Sequence, residues 1–176
     1  AHELRTPLTA LRGNAEMLED PDLPPELHEK FCGIIINESE RLSRLTHDLL
    51  TLQRIEDDAA PMELARVNLR ELSAGVLDAL EPILRDRQAH TEIVGEAPDV
   101  LFGLRGNSIL AVKDDGCGFG DVDPKLLFDR FYRTDASRSR GTGGTGLGRA
   151  IVKSGVEAHD GSGEALNLPD GGACFI

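Results

Sequence analysis

Ala1-His2-Glu3-Leu4-Arg5-Thr6-Pro7-Leu8 opens the chain, and its reading decides the fold. Leu4, Leu8, Leu11, Ala15 and Leu18 recur at helical spacing and form one narrow apolar stripe. At ~100° per residue, His2 falls opposite that stripe, with Thr6 one turn above it. A helix that buries its leucines therefore holds His2, Glu3 and Thr6 towards solvent. A second reading is open. Thr6 as N-cap and Pro7 at the first helical position also make a good helix start, which leaves His2 in a frayed tail. If the helix runs through instead, Pro7 cannot donate to the Glu3 carbonyl, and a kink is expected beside His2.

Working outward, the first helix is expected to end near Glu19-Asp20, followed by the proline-rich turn Asp20-Pro21-Asp22-Leu23-Pro24-Pro25. A longer helix is expected over 26–57. Its stripe is Leu27, Phe31, Ile34, Leu42, Leu45, Leu49 and Leu52, with Glu38 as a charged flaw. One hairpin cannot cover its own seam, so two should pair into a four-helix bundle, and a homodimer is expected.

The composition narrows the function. There are 176 residues, enough for one ordinary domain or two small ones. The net charge of −12, from 31 acidic and 19 basic residues, argues against a nucleic-acid or anionic-membrane binder, which needs a basic face. Cys32, Cys117 and Cys174 are odd in number and lack metal-ligand spacing, so they read as reduced thiols. No apolar run approaches the ~20 residues of a membrane span. The chain starts abruptly at the quoted stretch and reads as a fragment of something longer.

Asp57-Asp58-Ala59-Ala60-Pro61 is the candidate boundary, giving domains 1–60 and 61–176. Beyond it, strands are expected at 62–67, 91–94, 100–102 and 109–112, and helices at 69–87, 125–132 and 147–158. Asn68 and Glu71 supply a cap for the first of these helices. A hairpin across Pro169-Asp170-Gly171-Gly172 joins 164–168 to 173–176. The fold class is α+β: an N-terminal two-helix hairpin, then an α/β sandwich.

Two glycine segments carry candidate chemistry. Val112-Lys113-Asp114-Asp115-Gly116-Cys117-Gly118-Phe119-Gly120 places Asp114 at the end of a strand, beside backbone that a ligand can approach closely. A tight turn with a solvated acidic pair is the other reading. Gly141-Thr142-Gly143-Gly144-Thr145-Gly146-Leu147-Gly148 opens a helix, where free N–H groups and the helix dipole favour phosphate. The letters also fit a dinucleotide fingerprint, but the preceding 134–140 is polar and Arg-rich rather than a strand, and no Lys-Ser or Lys-Thr makes a P-loop. Between them, Phe128 and Phe131 are spaced as core residues or as part of a site, and Arg138 and Arg140 as loop charge or as phosphate ligands.

His2-Glu3-Leu4-Arg5-Thr6-Pro7-Leu8-Thr9 resembles the phosphoacceptor box of sensor histidine kinases, and the family's other motifs follow in the family's order. Asp114-x-Gly116-x-Gly118 resembles the first glycine box of the Bergerat-type ATPases. The segment 128–138 resembles the phenylalanine box, and 141–148 the second glycine box, with Arg149 where a Leu is usual. The resemblance selects the helical, outward reading of His2. It implies ATP as phosphoryl donor, Mg²⁺ as cofactor, and transfer to an Asp on a response-regulator receiver domain. It gives His2 as acceptor, Glu3 as general base, and Thr6 as part of a phosphatase element. Asp114, Gly116, Gly118, Phe131, Arg138, Gly144, Thr145, Gly146, Leu147 and Gly148 would hold the nucleotide, under a lid at 134–144. An unperturbed imidazole is mostly neutral at pH 7, as this chemistry requires. The implied setting is the cytoplasmic portion of a membrane-anchored sensor, touching a membrane only through regions absent from this chain.

One box departs. Leu104-Arg105-Gly106-Asn107-Ser108 is too short for the family's asparagine-box helix, and Asn107 lies too near Asp114 to be its metal ligand. The expectation is a missing segment rather than a protein without the ligand, and an intact mass above 19.0 kDa would bear this out. No magnesium ligand can be named. Other Bergerat-type ATPases and a catalytically impaired dimerisation scaffold are the alternatives.

Overall fold

In the computed structural model, residues 2–57, 65–95, 99–101, 109–134 and 144–176 are described, the side chains of His2 and 99–101 excepted. They fall into two compact units, one of residues 1–60 with 111–176 and one of residues 61–110.

The first unit begins with helix α1 (His2–Met17), which carries Pro7 inside it. The alternative start at Thr6–Pro7 is thus replaced by a continuous helix. Its inward face differs from the expected stripe. Pro7 is fully buried, and Leu4, Leu11, Asn14 and Leu18 are half-buried, whereas Leu8 stays 51% exposed and Ala15 is exposed. Positions 4, 7, 11, 14 and 18 alternate by three and four, the narrow seam of two antiparallel helices. Leucine counting alone overlooks the proline ring that completes it.

Helix α2 (Pro25–Glu56) begins on Pro25 at its first turn, where the missing N–H costs nothing. It packs along α1, with Leu45 and Leu52 buried. Glu38, the flaw in the seam, accepts from Arg41 Nη1 at 3.3 Å. One turn of helix brings that cation to it.

The same unit holds a three-stranded antiparallel sheet in the order β3–β5–β4, made of β3 (Val112–Lys113), β4 (Ala165–Asn167) and β5 (Ala173–Phe175). Val112 pairs with Phe175, and Asn167 with Ala173. Gly171 and Gly172 have φ of 99° and 88°, which closes the expected hairpin. A 3-10 helix (Pro124–Phe128) replaces the helix expected over 125–132; Asp123 caps it through the Lys125 N–H. Leu127, Phe128 and Ala165 form the core, with Phe119, Val122, Tyr132 and Phe175 packed on it. Phe128 meets Phe175 edge to face, with ring centres 6.3 Å apart. Helix α4 (Gly148–Ala158) packs against α2. It ends at His159, whose Nδ1 lies 2.7 Å from the Gly155 carbonyl.

The second unit contains β1 (Arg66–Asn68), α3 (Leu69–Asp86) and β2 (Asp99–Leu101), with β1 and β2 antiparallel. Asn68 Oδ1 accepts from the N–H groups of Arg70 and Glu71 at 3.0 and 3.1 Å, the cap read from sequence. Residues 91–94 are not a strand; Arg70 Nη1 instead donates to the carbonyls of Ile93 and Gly95. Backbone groups bound by a guanidinium have no need of a ladder. The strand expected at 109–112 is shorter and later, Val112–Lys113, and that expected at 100–102 is Asp99–Leu101. Of the strand expected at 62–67, residues 62–64 lie outside the described residues.

Candidate nucleotide-binding site

The first glycine segment is built on the end of β3. The Asp114 N–H donates to the Ala173 carbonyl at 2.9 Å, extending the sheet by one rung. Its side chain turns back: Oδ1 accepts from the Gly116 N–H at 2.9 Å and the Ala173 N–H at 3.3 Å. The carboxylate is thus aimed by backbone, and among the described residues Oδ2 has no partner. Two glycines are dictated by space. A Cβ at Gly172 would stand 1.9 Å from the Asp114 carbonyl oxygen, and one at Gly118 would stand 2.5 Å from Asn167 Oδ1.

Asn167 is a residue that the sequence reading passed over. Its Oδ1 accepts from the Phe119 N–H at 2.9 Å, and its Nδ2 donates to the Gly120 carbonyl at 2.7 Å. This amide holds the glycine segment from the end of β4. The only sequence signal was an Asn before a hairpin turn, which reads as turn chemistry. Asn167→Ala is expected to leave both backbone groups to water, costing about 1 kcal/mol and several-fold in affinity for an ATP analogue. A fluorescent ATP-analogue titration and a denaturant midpoint, both unchanged, would overturn this role.

The second glycine segment is described from Gly144, whose carbonyl accepts from Arg133 Nη1 at 3.2 Å. Gly146 has φ 74°, and its carbonyl accepts from the Phe131 N–H at 2.9 Å. A Cβ on Gly146 would lie 3.0 Å from Phe131 backbone atoms. Phe131 itself has φ 65°, unusual for a non-glycine residue. Leu147 is fully buried, and α4 begins at Gly148 with no side-chain cap, which leaves its first N–H groups for an anion. Arg149 Nε donates to the Leu127 carbonyl at 2.6 Å and Nη2 to the Tyr132 carbonyl at 3.2 Å. Burial lowers its pKa, and Tyr132 opposes that shift.

The structure therefore joins Asp114, Gly116 and Gly118 to Gly172 and Asn167, and Phe131 to Gly146. Phe119 and Tyr132, one from each cluster, pack on the same core. Phe128, the other aromatic of the pair, lies in that core. Arg138, Arg140 and the expected lid, apart from Thr134 and Gly144, lie outside the described residues. So does the His2 side chain; Glu3 on α1 is half-buried, and the Thr6 side chain is exposed.

Helix α2 also reaches the second segment. Thr145 Oγ1 donates to Asp48 Oδ2 at 2.6 Å. Arg130 pairs with Glu56 at 2.5 and 2.7 Å, and Ser154 Oγ donates to the same carboxylate. A ligand that uses the Thr145 hydroxyl must compete with Asp48. The Arg130–Glu56 pair is half exposed, so solvent screens it to about 0–1 kcal/mol.

Among the described residues no three of His, Cys, Asp and Glu gather into a metal site. Asn107 lies outside them.

Comparison with known proteins shows the family of the chain. Residues 70–176 match the family model of histidine kinase-, DNA gyrase B- and HSP90-like ATPases. The chain belongs to that ATPase family. Residues 1–58 match the His Kinase A (phospho-acceptor) domain, so the ATPase follows a phospho-acceptor hairpin, the order found in a histidine kinase core. The chain is 30% identical to the sensor histidine kinase WalK of Bacillus subtilis over 92% of its own length and 32% of that protein. It is 34% identical to the sensor protein SphS of Synechococcus elongatus over its whole length and 52% of that protein. It thus spans between a third and about half of these relatives. The SphS alignment runs over 217 positions against 176 residues here, so it opens gaps in this chain. In fold, the ATPase and its hairpin resemble the Acinetobacter baumannii histidine kinase AdeS, with a TM-score of 0.75 at 23% identity over 99% of this chain and 95% of that one.

Proposed function

We propose that the chain is the catalytic core of a sensor histidine kinase, which phosphorylates His2 from ATP and passes the phosphoryl group to an Asp of a response-regulator receiver domain. The carrying observation is the order of the two domain matches, phospho-acceptor at 1–58 and ATPase at 70–176, with His2 in the first turn of α1. A functional division into 1–60 and 61–176 follows the same matches.

The chemistry assigns each group a task. Asp114, aimed by the Gly116 and Ala173 N–H groups, accepts from the adenine amino group. Gly116 and Gly118 let backbone approach the base, and Phe131 braces the second segment. Gly144, Thr145, Gly146 and Gly148 present backbone and the positive end of α4 to the phosphates, and buried Leu147, whose N–H donates to Thr145 Oγ1 at 3.3 Å, anchors the segment. Arg138 completes the phosphate contacts from the lid. A ring nitrogen of His2 attacks the γ-phosphorus. The N–P bond forms as the bond to the β-γ bridging oxygen breaks, ADP leaves, and Glu3 takes the proton from the other ring nitrogen. Magnesium, which the resemblance implies, would neutralise phosphate charge. Thr6 positions a water that attacks the aspartyl phosphate of the regulator; the P–O bond to the Asp carboxylate breaks and inorganic phosphate leaves, read as loss of phosphate from the phosphorylated receiver domain.

A homodimer is part of this reading. Ile36 and Leu50, exposed on one side of α2, are apolar surface that a second hairpin would cover. Light scattering above micromolar concentration distinguishes it from a monomer. The placement as the cytoplasmic part of a membrane-anchored sensor rests on the likeness to sensor histidine kinases; among the described residues no helix is long and apolar enough to cross a membrane. Incubation with γ-labelled ATP and Mg²⁺ tests the whole. Acid-labile, base-stable label on the protein supports the kinase. ATP hydrolysis without label points to another ATPase of the family, and neither to a scaffold.

A further inference from the structure

We propose that Arg149 is a positioning residue for nucleotide binding, which braces the second glycine segment through the aromatic turn. This rests on the nucleotide reading of that segment. The 3-10 helix Pro124–Phe128 ends with the Leu127 carbonyl lacking a helical partner, as helix ends do. Arg149 Nε takes it at 2.6 Å, while Nη2 of the same guanidinium takes the Tyr132 carbonyl at 3.2 Å. Those two carbonyls bracket residues 128–131. Within the bracket Phe131 is held at φ 65°, and its N–H donates to the Gly146 carbonyl at 2.9 Å.

Gly146 leaves no slack. A Cβ there would come within 3.0 Å of the Phe131 backbone, so the turn lies directly against the glycine that precedes α4. Arg149 sits in the first turn of α4, and so ties that turn back to the same helix whose N–H groups face the phosphates. A planar guanidinium with donors in a fixed fork can serve two carbonyls at once; a leucine, usual here in the family, can serve neither. The contact exists in ground state and transition state alike, so its loss acts on binding rather than on the chemical step.

The test compares Arg149→Leu and Arg149→Lys with the wild-type chain, in autophosphorylation kinetics and in titration with trinitrophenyl-ATP. Arg149→Leu should raise the KM for ATP and the analogue Kd about tenfold, with kcat within about threefold. Arg149→Lys, which keeps the charge and a donor group at a single point but not the fork, should fall between. Should Arg149→Leu fail to give a cooperative melt, Arg149→Lys decides alone: a raised Kd supports the role. An unchanged KM and Kd in a folded variant overturns it, as does a loss confined to kcat. Wild-type protein that binds no analogue would refute the nucleotide reading itself, a result distinct from equal affinities in wild type and variant.

Discussion

His2→Gln is expected to abolish phosphoryl label on the protein, down to background, while leaving trinitrophenyl-ATP affinity unchanged. Glutamine preserves polarity and rough size but offers no nucleophilic nitrogen, because the amide lone pair is delocalised into its carbonyl. The chain has five histidines, so the substitution also asks whether another can stand in. His28 and His47 are exposed on α2, His90 is exposed beyond the end of α3, and the His159 ring is turned to the Gly155 carbonyl at the end of α4. None has the Glu-x-x-Thr sequence that follows His2. Phosphoamino-acid analysis and label stability in acid and base give the readout. A labelled His2→Gln protein would defeat the assignment of the acceptor, whereas lost label together with lost nucleotide binding would mean that the substitution disturbed more than the nucleophile.

The second large effect belongs to a glycine. Gly172→Ala is expected to destabilise the chain by more than about 3 kcal/mol and to remove measurable ATP-analogue binding. Two penalties act together. Alanine at φ 88° is strained by about 1–2 kcal/mol. Its Cβ would also sit 1.9 Å from the Asp114 carbonyl oxygen, well inside contact distance, so β5 must move away from β3. That movement breaks the bonds from Asp114 to Ala173 and from Ala173 to the Asp114 carboxylate, the two that aim the adenine acceptor. Gly171→Ala is the internal comparison. It has φ 99° but only an ordinary 3.6 Å contact, so it carries strain without the clash. Denaturant unfolding of both variants separates the terms; equal losses would discard the steric argument.

Legibility followed the range of the interaction. The Asn68 cap, the α2 stripe from Phe31 to Leu52 and the hairpin at Gly171-Gly172 are local, and each could be read from residues a few positions apart; Leu27, expected in the same stripe, is exposed in the first turn of α2. The shape of the α1 seam was half legible: the helical period was plain, but a buried proline in place of Leu8 required knowing how α2 lies. Residues 91–94 looked like a strand by composition, yet the Ile93 carbonyl, like that of Gly95 beyond it, is taken by Arg70, 23 and 25 positions earlier. The site divides in the same way. The glycine segments announce themselves by composition. Asn167, which holds the first of them from 47 positions away, does not.

From letters alone came a two-helix hairpin, an α+β second part, an acidic residue ahead of one glycine segment, and a helix start behind the other. Propensity, capping and periodicity are properties of neighbouring residues, and they survive without coordinates. Folding decided which carbonyls Arg149 takes, which amide clamps Phe119 and Gly120, and that Asp48 meets the Thr145 hydroxyl. Those contacts join residues far apart in the chain, and only the packing of strands and helices around Leu127, Phe128 and Ala165 brings such partners within hydrogen-bond reach.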